Sequence, residues 1–546
     1  LRFCLNSDRQ NHEILSLSQG LSNMANKIED LKSAKDGLAV KAEIDRFAEI
    51  GWEAIDNEDL QHRLKWLGVF FRKSTPGRFM VRMRIPNGLL SSDQMRVLAS
   101  VVEKCGEHGV ADITTRQNIQ MRGILIEDVP EMFEKFRSVG LTSVQSAMDN
   151  IRNITGSPVA GIDSNELYDT RELAIQVQNL LTNNGEGNPA FTNLPRKFNI
   201  AIAGCRDNST HAEINDLAFV PAFNEENKEV FGFNVLVGGF FSAKRIAAAI
   251  PLNVWVPPKD VVALCEALLI VFRDNGLREK RDKARLMFLI DEWGIERFRA
   301  EVEKQMGKPL VPAALKDEIE WEKRDHIGVH KQKQAGMNYV GLQIPVGRMY
   351  AADMYEFARV ADTYGNSDMR LTVEQNLLIT NVSDEQLPAL LQDPLLQKFP
   401  VDPDNLMRGL VSCTGNQFCP VAIVETKNRS LALTKQLAED YILPKVVRIH
   451  WSGCPNSCAQ PQVADIGFTG CKARKDGKVV DGVDIYMGGM VGKDAHLGTC
   501  VMEKVPCEDL YEVVGKLLVD RFGATPKANS ANAVIATPSA ELISVS

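Results

Sequence analysis

Apolar and polar residues alternate through "VVRIH" from Val446, the pattern of a β-strand, and the chain continues "WSGCPNSCAQPQ". Pro455 suits the first position of a helix, where a missing N–H costs nothing. Cys454 is therefore expected at a helix N-terminus, with Cys458 one turn on and on the same face. Upstream, "SCTGNQFCPVAIVE" has a related form: Cys413 and Cys419 enclose five residues, and Pro420 is predicted to open a helix with Val424, Leu431 and Leu437 on its apolar side. Two cysteine pairs at two helix starts would favour a bound group of net negative charge.

The same patterning occurs twice along the chain. "IPNGLLSSDQMRVLASVVEKCGEHGVADITTRQNIQ" from Ile85 runs parallel to "IPVGRMYAADMYEFARVADTYGNSDMRLTVEQNLLI" from Ile344, and each reads strand, turn, amphipathic helix, strand. "NITGSPVAG" from Asn153 falls on "SCTGNQFCP" from Ser412, and "LPRKFNIAIAGCRDN" from Leu194 on "LPKVVRIHWSGCPNS" from Leu443. A period this long is not a solenoid. It predicts an α+β fold with a pseudo-twofold duplicated unit.

The differences between the copies carry the chemistry. The four cysteine positions of the second copy are Ile154, Ala160, Cys205 and Ser209 in the first, so only the second can hold a four-thiolate site. The first is basic where the second is not: Arg82 falls on Gly341, Arg84 on Gln343, Arg116 on Glu374 and Lys197 on Val446. Several of these sit in apolar runs such as "RFMVRMRIP", where burial without an anion would be costly. A pocket for an anion or polycarboxylate, built on one half and facing a metal site on the other, is the expectation. In the alternating run "RKFNIAI", Lys197 and Asn199 are predicted to point to one side.

Composition narrows the class. The chain has 546 residues, 44% hydrophobic and 25% charged, a net charge of −8 and eleven cysteines. That is globular. No run approaches the ~18–20 apolar residues of a membrane span, and the negative balance argues against nucleic-acid binding. An odd cysteine count without a secretory segment opposes a disulfide framework. A structural zinc site usually spaces paired ligands by two to four residues, which Cys413 and Cys419 exceed. An iron–sulfur cluster on Cys413, Cys419, Cys454 and Cys458 is favoured, with Cys4, Cys105, Cys205, Cys265, Cys471, Cys500 and Cys507 read as ordinary thiols; a zinc-binding module is the rival. No Gly-rich dinucleotide fingerprint follows a strand, so electrons are expected from another protein. Lys331 and Lys333, or Lys472, Arg474 and Lys475, are candidates for docking an acidic carrier.

With "CTGNQFC", "GCPNSC", "TTRQN" and "LPRKFN" in this order, the chain resembles the sirohaem and iron–sulfur nitrite/sulfite reductase family over about residues 28–525. Within it the chain looks like the ferredoxin-dependent assimilatory nitrite reductases, and "HRLKWLGVFF" resembles the enzymes of photosynthetic cells. The resemblance implies two ferredoxin-like half-domains plus two larger α/β sirohaem/Fe-S domains. The divisions are 1–27, loose; 28–148, first half-domain; 149–330, sirohaem and substrate; 331–403, second half-domain; 404–525, [4Fe-4S] and sirohaem; and 526–546, a loose tail. It implies that Cys413, Cys419, Cys454 and Cys458 ligate a [4Fe-4S] cluster, Cys458 also bridging to the sirohaem iron. Arg82, Arg152, Lys197 and Asn199 would line the substrate pocket, while Arg116, Asn118, Gln120, Arg122, Arg196, Lys244 and Arg245 would hold the sirohaem. Six electrons from reduced ferredoxin would convert nitrite to ammonium. The implied protein is a monomer in a photosynthetic bacterium's cytoplasm or a chloroplast stroma. Sulfite reduction is the alternative activity, for which the family carries a second lysine where this chain has Asn199.

Overall fold

The computed structural model describes residues 27–321 and 323–528. Two five-stranded antiparallel sheets form the half-domains, and each borrows a strand from the other. The first runs Val69–Phe70, Phe79–Arg82, Ile119–Ile124, Val110–Ile113, and is completed by Arg348–Met349 of the second half. The second runs Gly328–Lys331, Met337–Leu342, Leu377–Ser383, Asp368–Leu371, and is completed by Leu89–Ser91 of the first.

The exchange is reinforced by the helices that follow each lent strand. Ser91 closes a capping box with Gln94 at the start of helix Ser92–Lys104, its Oγ accepting from the Gln94 N–H at 3.2 Å. That helix packs on Ala351–Tyr364, and one apolar core joins Met95, Leu98 and Val102 with Phe357, Val360 and Ala361. Equivalent glutamines cross the axis. Gln117 Nε2 donates to the Leu371 carbonyl at 3.1 Å, and Gln375 Nε2 to the Ile113 carbonyl at 2.9 Å, both from left-handed backbone.

The larger units are also related. Ile151–Gly156, Phe198–Ile202 and Leu217–Phe223 pair in parallel, and Phe231–Val237 and Ile250–Val256 continue antiparallel. Leu410–Ser412, Ile449–Ser452, Ile466–Lys475, Lys478–Met487 and Thr499–Pro506 repeat that order. Helices Val261–Asn275 and Leu510–Phe522 cover the matching cores. No helix among the described residues is long and apolar enough to cross a membrane.

Four sequence expectations are corrected. Cys454 and Cys458 lie on a turn, not a helix: Ser457 and Gln460 adopt left-handed backbone (φ 54° and 60°), and the Ser452 hydroxyl accepts the Ala459 N–H at 3.0 Å. Pro420 opens no helix either. The N–H groups of Ile423 and Val424 both donate to the Gly453 carbonyl, tying the two cysteine loops together, and the helix carrying Leu431 and Leu437 starts at Lys427. Neither cysteine pair therefore sits at a helix N-terminus. The tail expected from residue 526 begins ordered, since Thr525–Pro526 pairs with Tyr441–Ile442 and the Lys527 N–H donates to the Asp440 carbonyl at 2.8 Å. Lys27 likewise starts a helix. Cys4 and the remainder of both end segments lie outside the described residues.

Candidate functional site

The site follows from one row across the first half-domain sheet. Arg82 pairs with Gln120, Gln120 with Asp112, and Asp112 with Arg348 on the borrowed strand. Directly opposed residues share a face, so the row forms one wall of a cavity of about 350 Å³. Arg122, two residues from Gln120, faces the same way. The turn bearing Thr115 and Arg116 forms the next wall, and the two cysteine loops close the cavity with Cys413, Cys419, Cys454 and Cys458. No group of three or more His, Cys, Asp or Glu side chains among the described residues is arranged to hold a metal ion; the four cysteines are brought together as part of the lining of one cavity. Cys413 Sγ accepts from the N–H groups of Gly415 (3.4 Å) and Gly453 (3.2 Å), and Cys454 Sγ from Asn456 Nδ2 at 3.6 Å. Burial, with Cys458 nearby, pushes the Cys413 thiol up to about 12. Ligation by a cation would offset that cost.

Charge in the walls is unbalanced. Asp112 serves three cations, of which Arg122 and Lys427 are buried: it pairs with Arg122, with Arg348 Nε at 3.0 Å and with Lys427 at 3.5 Å. Burial opposes its ionisation, yet Lys427, Arg122 and Arg348 hold it well below the usual carboxylate range. Arg82 and Arg116 in the walls, and Arg152 and Lys197, which do not line the cavity, have no carboxylate within salt-bridge distance among the described residues. Arg82 stacks over Phe70 at 4.8 Å, and burial and then Arg116 push it down to about 9. Arg152 donates only to the carbonyls of Ser146 (2.9 Å) and Met148 (3.0 Å), and burial and then Arg82 hold it well below the usual guanidinium range. Lys197 is depressed well below its ordinary value by burial, then by Arg285 and Arg116. Cations desolvated against one another call for an anion of several charges.

Asn199 meets this set through its side chain, which accepts from Arg116 Nε at 3.1 Å, while its N–H donates to Asp216 Oδ2. Arg196 lies 4.0 Å from Asp149 and is pushed down to about 10 by burial and then Arg281.

Other expected residues lie elsewhere. Asn118 braces the Thr114–Asn118 turn, donating to the Met83 carbonyl at 2.8 Å. Lys244 is exposed; Arg245 pairs with Asp291 and stacks on Phe288 at 5.1 Å, and neither lines the cavity. Of the docking lysines, Lys331, Lys333, Lys472 and Lys475 are ion-paired within the chain, to Asp384, Glu166, Asp481 and Asp509. The cavity also takes Arg72, Arg348 and Lys427, which the repeat comparison did not single out. Arg72 has a sequence signal in the basic end of "VFFRK"; Arg348 arrives only through the strand exchange, and Lys427 from the first turn of helix Lys427–Asp440.

Comparisons agree with this architecture. The family described as "Nitrite and sulphite reductase 4Fe-4S domain" matches residues 147–310 and 404–521, and "Nitrite/Sulfite reductase ferredoxin-like half domain" matches 71–139 and 330–396. A ferredoxin–nitrite reductase of Leptolyngbya laminosa is 63% identical over 503 residues, 92% of this chain and 98% of that protein. The chloroplastic ferredoxin–nitrite reductase of Zea mays is 50% identical, with 92% and 90% covered. The solved structure of the Mycobacterium tuberculosis NirA protein superposes with a TM-score of 0.83 at 32% identity, covering 91% of this chain and 93% of that one. Over most of its length, with both kinds of domain in duplicate, the chain belongs to the nitrite and sulphite reductase family.

Proposed function

We propose that the chain is a ferredoxin–nitrite reductase: it takes six electrons from reduced ferredoxin and converts nitrite, with eight protons, to ammonium and two waters. The relatives carrying that name support the reading. The observation that carries it is one cavity lined by four cysteines and by the carboxylate-free Arg82 and Arg116, with Arg152 and Lys197 close enough to be depressed by those arginines.

The residues fit a [4Fe-4S] cluster and a sirohaem. Cys413, Cys419, Cys454 and Cys458 would hold the cluster, with N–H groups already directed at two of the sulfurs. Arg116, Gln120, Arg122 and Arg196 would take the carboxylates of a tetrapyrrole that has eight of them, each needing a partner once buried. When bound, these groups supply the electron path and an iron that accepts the nitrite nitrogen.

The chain's own side chains do the rest. Arg82, Arg152 and Lys197 attract the anion and stabilise charge as its N–O bonds break. The lowered proton affinity of Lys197, caused by burial and then by Arg285 and Arg116, makes it the side chain of this set from which a proton is most readily passed to the substrate. Asn199 keeps Arg116 oriented and limits the positive charge to what a singly charged substrate requires. The compartment proposed is the cytoplasm of a photosynthetic bacterium, or a chloroplast stroma, either of which supplies ferredoxin; the protein is proposed to act as a monomer.

The test is a visible spectrum of the purified protein, followed by ammonium and sulfide assays with ferredoxin and with a viologen. Tetrapyrrole bands, iron and ammonium formation at the higher kcat/KM are expected. A colourless protein, or faster sulfide formation, would refute the proposal.

A further inference from the structure

Two residues beyond Cys458, and two beyond its counterpart Ser209, the halves of the molecule touch. Gln460 and His211 occupy the same place in the two copies, both with left-handed backbone (φ 60° and 50°). Their side chains meet across the pseudo-twofold axis, His211 Nδ1 standing 2.6 Å from Gln460 Oε1. Gln460 is also held on other sides. Its carbonyl accepts from His450 Nδ1 at 3.1 Å, and its Nε2 donates to the Thr115 carbonyl at 3.4 Å. Thr115 in turn donates its hydroxyl to the Cys458 carbonyl at 2.9 Å. The Thr115 carbonyl can only accept, so the Gln460 amide nitrogen faces it and the amide oxygen faces His211, whose Nδ1 is then the donor.

His211 is 2% exposed, and its other ring nitrogen lies 3.2 Å from Glu374 Oε1, a carboxylate ion-paired with Lys323, with no hydrogen bond between the two atoms. The proposed nitrite chemistry makes no use of these groups. An apolar pair would fill the same space without the cost of burying an imidazole and a carboxylate. Connected polar groups in an interior fix one arrangement where apolar packing would allow several.

We propose that His211 is a positioning residue for the Cys458 thiolate. By holding Gln460, and through it Thr115, it sets where the turn presents its sulfur to the cavity. This rests on the reading of Cys458 as a ligand.

Two replacements of His211 separate its two contacts. The amide nitrogen of asparagine takes the place of Nδ1, and asparagine tolerates the left-handed backbone; that of glutamine takes the place of Nε2 and reaches towards Glu374 instead. In the purified holoenzyme, His211→Gln is expected to lower viologen-driven kcat about tenfold, the scale of losing a ligand-orienting partner, with the KM for nitrite changed by less than about twofold. It should also displace the visible spectrum and speed iron release to a chelator, while His211→Asn restores both. Should His211→Gln fail to accumulate, Gln460→Leu breaks the same bond from the other end and should give the same spectral change. Wild-type spectrum and iron release in His211→Gln or Gln460→Leu, or equal damage in His211→Asn, would overturn the role. A wild-type protein without iron or tetrapyrrole bands would instead sink the proposed function.

Discussion

Asn199→Lys tests how the pocket chooses its anion. The new ammonium would stand beside Arg116, whose Nε now donates to Asn199 at 3.1 Å, and near Lys197. Two effects follow. Repulsion from Arg116 and Lys197 acts whatever the substrate, so it cancels between substrates and appears as lost stability and a lowered proton affinity of the new lysine. Attraction does not cancel, because sulfite as the dianion carries one more charge than nitrite. At ~4 Å and an effective dielectric of about 20, that charge is worth on the order of 4 kcal/mol before solvation losses. If a net ~1.4 kcal/mol survives, the sulfite-to-nitrite ratio of kcat/KM rises about tenfold. Both substrates should be measured with one viologen donor, and the gain should shrink as pH rises and the lysine loses its proton. A folded variant with the wild-type spectrum and an unchanged ratio would refute the reasoning.

Cys458→Ser is expected to disrupt iron content and the tetrapyrrole spectrum together, whereas Cys471→Ser, a thiol whose contact is Asp484, should disturb neither. Asp112→Asn leaves Arg122, Arg348 and Lys427 without their shared anion and should destabilise the fold by about 3–5 kcal/mol, read from urea unfolding. Because the Asp112 carboxyl is depressed in the folded state, its contribution is complete above the unfolded value of about 3.9 and is lost as pH falls through the lower folded value. The variant should therefore show a flatter acid limb of stability than the wild type. Ferredoxin-driven activity should fall with added salt more steeply than viologen-driven activity, since exposed charge pairs are screened within about 8 Å at physiological ionic strength; equal dependence would count against protein docking through charge.

The duplication was legible because both copies keep the same apolar spacing, down to the turns at Pro86–Gly88 and Pro345–Gly347. The strand exchange was not, because Leu89–Ser91 and Arg348–Met349 are too short for their pairing partner to be read from periodicity. The cysteine loops misled for a related reason. Proline after Cys419 and after Cys454 is compatible with a helix start and with a turn, and the choice is made by the Gly453 carbonyl, which claims two N–H groups of the other loop. Arg82, Arg116 and Lys197 stood out against their counterparts and do gather. Lys244 and Arg245 had no such contrast behind them, and Arg245 is engaged by Asp291. The contact of His211 with Gln460 has no sequence signature, since it depends on where the pseudo-axis passes.

The lent strand has a consequence for how the molecule is made. Arg348 pairs with Asp112 from 236 positions further along the chain. At ribosomal rates of about 5–20 residues per second, the edge beside Val110–Ile113 waits roughly 10–50 s after its own strand has been made before its cover arrives. For that time a nascent chain carries an open row of N–H and C=O groups able to recruit a neighbour on the same message. Slower translation between the halves would lengthen that exposure, and a chaperone that shields sheet edges should raise the yield of active enzyme without altering the finished fold.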